Sequence, residues 1–323
     1  MKAIQVQRFG GPEVMELRDL PAPVPGPGEI LVRQAAIGVN FIDVYRRTGL
    51  YQVALPMIPG MEGAGTVEAA GAGVKSPKTG DRVAFANLPG SYAELVVIPA
   101  ERAVIVPSPG VSFEQAAALM LQGMTAHYLV FDTCPLAKGD VVLVHAAAGG
   151  VGLLLVQTAR LRGAVVIATV STPGKEALAR AAGAQEVIRY TEKDFVAEVK
   201  RITGGRGVRA VFDSVGRDTF MKSLDCIAPR GMLVSFGQSS GKVEGFEPVA
   251  LSTKGSLYLT RPTLGHYIAD TDTLRKRASA VFRWAAAGKL DVRIGAKFPL
   301  SDAAEAHRQL EARKTTGKVL LIP

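Results

Sequence analysis

Residues 2–7 alternate apolar and polar positions, as a half-buried strand does. Short apolar runs follow at Ile30–Val32, Gly65–Val67, Arg82–Phe85 and Ala93–Ile98, separated by Gly, Pro and Asp clusters. This pattern predicts a β-rich opening segment. Within it, Pro21–Gly28 carries too many prolines for a helix or a central strand and reads as a surface loop; Pro56, Pro59 and Gly60 mark another turn. The period changes after about residue 112. Ser112 and Gln115 have the spacing of a capping box ahead of an Ala-rich helical run, Phe113–Gln122. Beyond it, strands are predicted at Val141–His145, Val165–Val170, Glu186–Ile188, Ala210–Asp213, Met232–Phe236 and Ser256–Thr260. Helices near Gly152–Leu161, Gly174–Ala182, Phe195–Thr203 and Thr219–Ile227 fall between them. Strand–helix alternation at this spacing means right-handed βαβ units and a parallel sheet wound on both faces. A helix over Thr271–Ala287, a short strand, a helix over Ser301–Ala312 and a last strand over Lys318–Ile322 close the chain.

Composition adds limits. The 323 residues are 48% hydrophobic and 21% charged, ordinary for a globular α/β protein of two domains. No apolar run reaches the roughly 18–20 residues of a membrane span, and the first residues lack a signal-peptide core, so a cytoplasmic protein is expected. Cys134 and Cys226 lie far apart and read as free thiols. The net charge of +9 comes from Lys and Arg spread along the chain, without a basic block or an interleaved aromatic–basic segment. It therefore reads as a solvated surface, in part serving an anionic small ligand, and a nucleic-acid partner is not expected.

The most informative stretch is Val141-Val-Leu-Val-His-Ala-Ala-Ala-Gly-Gly-Val-Gly152. A buried strand runs into a glycine-rich turn from which a helix opens. There, backbone N–H groups and the positive helix end can meet a pyrophosphate. The first glycine of the usual GxGxxG spacing is Ala147; Gly149 and Gly152 fill the other two places. The next strand ends in Ser171-Thr-Pro-Gly-Lys175, without the carboxylate that would hold the ribose of NAD. A hydroxyl and an ammonium there favour a 2′-phosphate, hence NADPH.

With these elements placed, the chain resembles the medium-chain dehydrogenase/reductase superfamily, and within it the NADPH:quinone oxidoreductase branch that includes zeta-crystallin. The strings that carry the resemblance are Gly10-Gly-Pro-Glu-Val14, Gly38-Val-Asn-Phe-Ile-Asp-Val-Tyr45, Gly49-Leu-Tyr51, His145–Gly152, Asp213-Ser-Val-Gly216, Ser235-Phe-Gly-Gln-Ser-Ser240 and Ser256-Leu-Tyr-Leu-Thr-Arg-Pro262. It implies a Rossmann domain over 124–264, inserted in a β-rich GroES-like catalytic domain formed by 1–123 and 265–323. NADPH is expected in the cleft between them. It also implies that Asn40, Asp43, Tyr45 and Tyr51 line the nicotinamide end, with Asn40 donating to the carboxamide or the acceptor oxygen. Cofactor contacts implied beside Asn40 are Tyr128, Gly149, Gly150, Val151, Gly152, Ser171, Lys175, Tyr190, Ser214, Phe236, Gly237, Ser239, Pro262, Thr263 and Arg313.

The zinc-dependent members carry a Cys where this chain has Asn40, and His-Glu where it has Met61-Glu62. An amide and a thioether do not make a tetrahedral zinc site, so no metal is expected, and the four histidines are expected to be core or surface residues. A quinone suits such a site, because its reduction spreads negative charge over a conjugated ring. The expected activity is zinc-independent, NADPH-dependent quinone reduction, by hydride or one-electron transfer. Two alternatives stand beside it: reduction of α,β-unsaturated carbonyls, and a cofactor-binding protein with a structural or RNA-binding role. Finally, Ser256–Thr260 is expected to be an edge strand without Lys, Pro or Asp, through which two copies would pair.

Overall fold

The structure is a computed structural model covering residues 1–323. Strands β1 (Lys2–Val6), β2 (Met15–Asp19) and β3 (Glu29–Val39) open the chain, followed by a short helix, α1 (Phe41–Arg47). Then come β4 (Glu62–Ala70), β5 (Arg82–Ala86), β6 (Leu95–Pro99), β7 (Val104–Ile105) and helix α2 (Phe113–Tyr128). The alternating region holds β8 (Val141–Val144), α3 (Gly150–Leu161), β9 (Val165–Val170), α4 (Pro173–Ala182), β10 (Glu186–Arg189) and α5 (Phe195–Thr203). It continues through β11 (Val208–Asp213), α6 (Phe220–Leu224), β12 (Ile227–Ser235), α7 (Val249–Thr253), β13 (Tyr258–Thr260) and α8 (Leu264–Tyr267). Helix α9 (Thr271–Ala286), β14 (Ile294–Pro299), α10 (Ala303–Glu311) and β15 (Lys318–Ile322) end it.

The chain divides into two compact units, Met1–Met124 with Tyr267–Pro323, and Thr125–His266. In the first, a sheet runs β14-β15-β3-β4-β5-β7, with β6 also on β3, and β1 pairs with β2. Strand β15 lies antiparallel to β3, setting Val319 opposite Val39 and Leu320 opposite Gly38. The C-terminal strand thereby reaches the residue that precedes Asn40. Ile37, Val39, Val319 and Leu321 pack with Tyr92, Leu300 and Ala306 in one core cluster.

The second unit is a six-stranded sheet in the order β10-β9-β8-β11-β12-β13. Every neighbouring pair in it is parallel. Its strands are apolar on both faces because helices cover both, as a doubly wound sheet requires. The order reverses between β8 and β11, which places the topological switch point beside the glycine-rich turn. The expected α/β class, a Rossmann sheet together with a GroES-like β-domain, is the one found. No helix is long and apolar enough to cross a membrane.

Several local expectations need correction. The Asn40–Tyr45 string, read within a β-rich segment, forms α1: the Asp43 carboxylate accepts the Asn40 N–H at 2.8 Å and caps the helix. The helix expected to run to Ile227 stops at Leu224, because Ile227 already pairs with Val208 in the sheet. Helix α2 runs on to Tyr128 and continues as a π-helical turn, Leu129–Thr133. Strand β13 is the sheet edge but only three residues long, and Leu257 before it is buried in the core, leaving Tyr258 as its exposed side chain. The Ser112–Gln115 capping box forms in both directions, at 3.0 and 3.1 Å.

Candidate active site

In the Rossmann unit, parallel register decides what comes together. The carboxyl ends of all six strands lie along one edge, so the loops that follow them share it. These loops carry Gly149–Gly152 after β8, Ser171 and Lys175 after β9, Tyr190 after β10 and Ser214 after β11. Phe236, Gly237 and Ser239 follow β12, and Pro262 and Thr263 follow β13. Tyr190 N–H donates to Val170 O at 3.1 Å, and Thr191 Oγ1 to Ser171 O at 2.9 Å, which sets Ser171 beside Tyr190. Ser239 N–H donates to Ser214 O at 3.1 Å and ties two further loops together.

The turn itself fits a pyrophosphate. Ala146 sits at φ 50°, in the left-handed region, and Gly149 is the N-cap of the twelve-residue α3. A Cβ at Gly152 would stand 2.3 Å from Ala146 O and 2.8 Å from Ala147 Cα, so only glycine lets the helix start so close to the turn. The first-turn N–H groups of a helix have no intrahelical acceptor and favour an anion. After β9, Thr172 caps α4 by accepting from Lys175 N at 3.3 Å. Glu176, which follows Lys175, is bound by Arg180 at 2.9 Å and Arg189 at 3.1 Å. Tyr128 is buried at the end of α2 and lies on none of the strand-end loops.

In the first unit, Phe41 and Tyr45 of α1 and the following Tyr51 form an aromatic row. The ring centroids of Phe41 and Tyr45 are 6.1 Å apart, and those of Tyr45 and Tyr51 5.3 Å. Tyr45 is mostly buried, whereas Tyr51 is 37% exposed. Arg313 lies exposed after α10 at φ 58°.

Around Asn40, the N-cap of α1, lies a dense polar cluster. Buried Lys318 pairs with buried Glu62 and donates to Asn40 Oδ1 at 2.9 Å. Asn40 Nδ2 donates to Glu62 Oε1 at 2.7 Å, and Gln122 Nε2 donates to Asn40 Oδ1 at 3.0 Å. Glu62 Oε2 also accepts the Leu121 backbone N–H at 2.6 Å. Asn40 is thus engaged internally through both ends of its amide, rather than presented outward. Asp43 is wholly buried and accepts from the Tyr92 hydroxyl at 3.0 Å. No group of three or more His, Cys, Asp or Glu side chains is placed to hold a metal ion.

Residues 26–108 match the alcohol dehydrogenase GroES-like domain, and residues 182–321 match the zinc-binding dehydrogenase family. A quinone oxidoreductase of Pseudomonas aeruginosa is 49% identical over 324 residues, covering 100% of this chain and 99% of the relative. The chain belongs to the quinone oxidoreductase branch of the medium-chain dehydrogenases/reductases. Escherichia coli quinone oxidoreductase, solved as its complex with NADPH, superposes with a TM-score of 0.98 at 46% identity over 100% of both chains. A 2-haloacrylate reductase of a Burkholderia species is 40% identical, over 99% of this chain and 98% of that protein.

Four partners in the cluster are absent from the sequence-derived site: Glu62, Tyr92, Gln122 and Lys318. One signal was present. Lys318 opens an otherwise apolar final strand, and a charge in such a strand needs a buried counter-ion. His145 is a core histidine, held at 2.8 Å by Thr169 and 3.0 Å by Ser223, and burial lowers its pKa.

Burial pushes Asp43 up to about 7; hydrogen bonds from Asn40 and Tyr92 and the charge of Lys318 oppose this, and Glu62 adds to it. A carboxyl raised in the folded state favours folding most while it is protonated. That contribution is full below about pH 4, its ordinary range, and is lost as pH rises through 7. Asp43→Asn mimics the neutral acid at every pH. From pH 5 to 8 the variant should therefore gain on the wild type by at least about 1.4 kcal/mol in urea denaturation. Parallel stability curves would show that Asp43 does not titrate in this range.

Proposed function

We propose that the protein reduces quinones with NADPH and needs no zinc to do so. The observation that carries this is the charge-balanced cluster at the N-terminus of the helix that carries Tyr45. Asn40 and Met61 stand where zinc-dependent members carry Cys and His, and Asn40 and the neighbouring Glu62 are held by the ammonium of Lys318. Nothing in that arrangement offers the strong Lewis acid that a developing alkoxide favours. A reduced quinone spreads its charge over a ring and needs only one or two hydrogen-bond donors. Tyr51, which is exposed, offers such a ring its own ring face and a hydroxyl for the reduced oxygen, beside the mostly buried Tyr45, whose ring is tilted 59° to it.

For the cofactor, the helix end at Gly149–Gly152 would hold the pyrophosphate, with Ser171, Lys175 and Tyr190 around the 2′-phosphate. Bound NADPH supplies the reducing electrons; the chain's own residues bind and orient the reactants. The identity to a 2-haloacrylate reductase favours a second reading, reduction of an activated carbon–carbon double bond, with Tyr51 as proton donor.

Dialysed exhaustively against a chelator, the enzyme should oxidise NADPH with 1,4-benzoquinone and lack stoichiometric zinc. Tyr51→Phe should lower kcat/KM by about tenfold, or about 1.4 kcal/mol. Faster turnover of enones than of any quinone would favour the second reading. One essential zinc per chain would overturn the first.

Cofactor preference is tested separately. Lys175→Ala should weaken NADPH binding by about 1–3 kcal/mol, as for a lost charge-assisted hydrogen bond, and leave NADH almost unchanged. An equal loss for both cofactors would remove Lys175 from the 2′-phosphate site.

Pairing through β13 is part of the same proposal. Its inner side is bonded to β12, and a two-fold copy would satisfy its outer backbone groups. Because Leu257 is buried, Tyr258→Lys is the informative change. It should shift sedimentation equilibrium from dimer toward monomer, whereas a wild-type mass of 34.0 kDa at micromolar concentration would refute the dimer.

A further inference from the structure

The chain of contacts behind Asp43 ends on a helix, 260 residues beyond the end of α1. His307, on α10, is buried, and its Nε2 lies 3.0 Å from the Tyr92 hydroxyl. Its Nδ1 lies 2.9 Å from Arg47 Nη1, on the last turn of α1. Arg47 is fully buried, bonds Glu311 of α10 at 2.8 Å and donates from Nε to Gly10 O at 3.1 Å.

The direction of every bond in this chain follows from one fact. A guanidinium has only donors. His307 Nδ1 must therefore accept from Arg47, which leaves the ring proton on Nε2. Nε2–H then donates to the Tyr92 oxygen, and the Tyr92 O–H donates to Asp43 Oδ2. The neutral ring is the only form that fits, and burial with the nearby Arg47 charge holds the His307 pKa down to about 3.

The same argument excludes a proton wire. Passing a proton inward would require Arg47 to surrender one, which arginine does not do in proteins. What remains is a mechanical role. His307 touches the C-terminal turn of α1 directly, through Arg47. Through Tyr92 it also reaches Asp43, the capping carboxylate of the first turn. One imidazole thus braces both ends of a seven-residue helix that is too short to hold its own position. That helix carries Tyr45, whose carbonyl accepts the Tyr51 N–H at 2.9 Å.

We propose that His307 is a positioning residue for the reduction proposed above: through Arg47 and Tyr92 it fixes α1, and with it the placement of Tyr45 and Tyr51 against the acceptor. This rests on the quinone-reductase reading only for what the tyrosines face. The brace itself is testable without turnover.

Two substitutions separate the roles. His307→Leu keeps the bulk and removes both polar contacts. His307→Gln offers one acceptor and one donor side by side, as the imidazole does. The Leu variant should fold, bind NADPH by fluorescence titration within twofold of wild type, and lose at least tenfold in kcat for the quinone with little change in the NADPH KM. The Gln variant should recover to within about threefold of wild type. Nitrogen-15 NMR of the wild type should show His307 protonated on Nε2 and bare on Nδ1 at neutral pH. A folded Leu variant with wild-type kcat, failure of Gln to rescue, or a proton on Nδ1 would each overturn the proposal. If Leu does not fold, the Gln kinetics and the wild-type tautomer decide the matter. A wild type that shows the expected tautomer but reduces no quinone would instead overturn the function proposed above, and leave the brace standing.

Discussion

A carboxylate buried away from water must be given a cation or a proton, and Glu62 receives the ammonium of Lys318. Much of the polar interior of the first unit follows from that pair. Lys318 can only donate, so the oxygen of Asn40 must face it. The nitrogen of Asn40 then faces Glu62, and Gln122 is left to offer its own nitrogen to the same Asn40 oxygen. The backbone is shaped around the pair as well. A Cβ on Gly38 would stand 2.2 Å from Glu62 Oε1, so the carboxylate occupies the space that a side chain would take. Strand β15 lies against β3 at this place, with Leu320 opposite Gly38 and Val319 opposite Val39. Removing either ion would leave the other buried and unpaired, a loss of about 3–5 kcal/mol, whereas exposed pairs elsewhere on the chain contribute little.

The Rossmann unit solves a different problem, how to bring residues from six loops to one place without long-range ion pairs. Parallel pairing does this by itself. It sends every strand's carboxyl end to the same edge, and the reversal of strand order beside β8 opens a crevice there. The close start of α3, possible because Gly152 lacks a side chain, aims a helix end at that edge. The alanine at the first glycine position is tolerated because the left-handed residue of this turn is its neighbour, Ala146, and not Ala147.

These two modes of construction explain what could be read from the sequence. Strands Val165–Val170 and Lys318–Ile322 and helix Phe195–Thr203 coincide with their predicted limits, because apolar periodicity and flanking glycines are local signals. The glycine-rich turn and the absent carboxylate after β9 were legible for the same reason. Helix α1 was not, because its seven residues hold no full apolar period and its cap depends on a carboxylate three positions along. The burial of Leu257 was also hidden. Periodicity marks a residue as apolar, but the turn at Ser256, with φ 53°, decides which way the next side chain points.

The cluster around Asn40 was the least legible part, although each of its residues was in plain view. Lys318 and Glu62 are 256 positions apart, His307 and Tyr92 215, and Arg47 and His307 260. No window of sequence contains any of these pairs. Each partner alone reads as an ordinary surface or core residue. Only the antiparallel register of β15 on β3, and the reach of Arg47 from α1 to His307 and Glu311 of α10, turn them into one network. The motif Asn40–Tyr45 is therefore local in sequence but held from afar. Its strings identify the family, while Glu62, Tyr92, Gln122, His307 and Lys318 hold it from distant parts of the chain. A substitution at His307 or Lys318, distant from every recognisable motif, would be felt first at Asn40 and at the tyrosines that follow it.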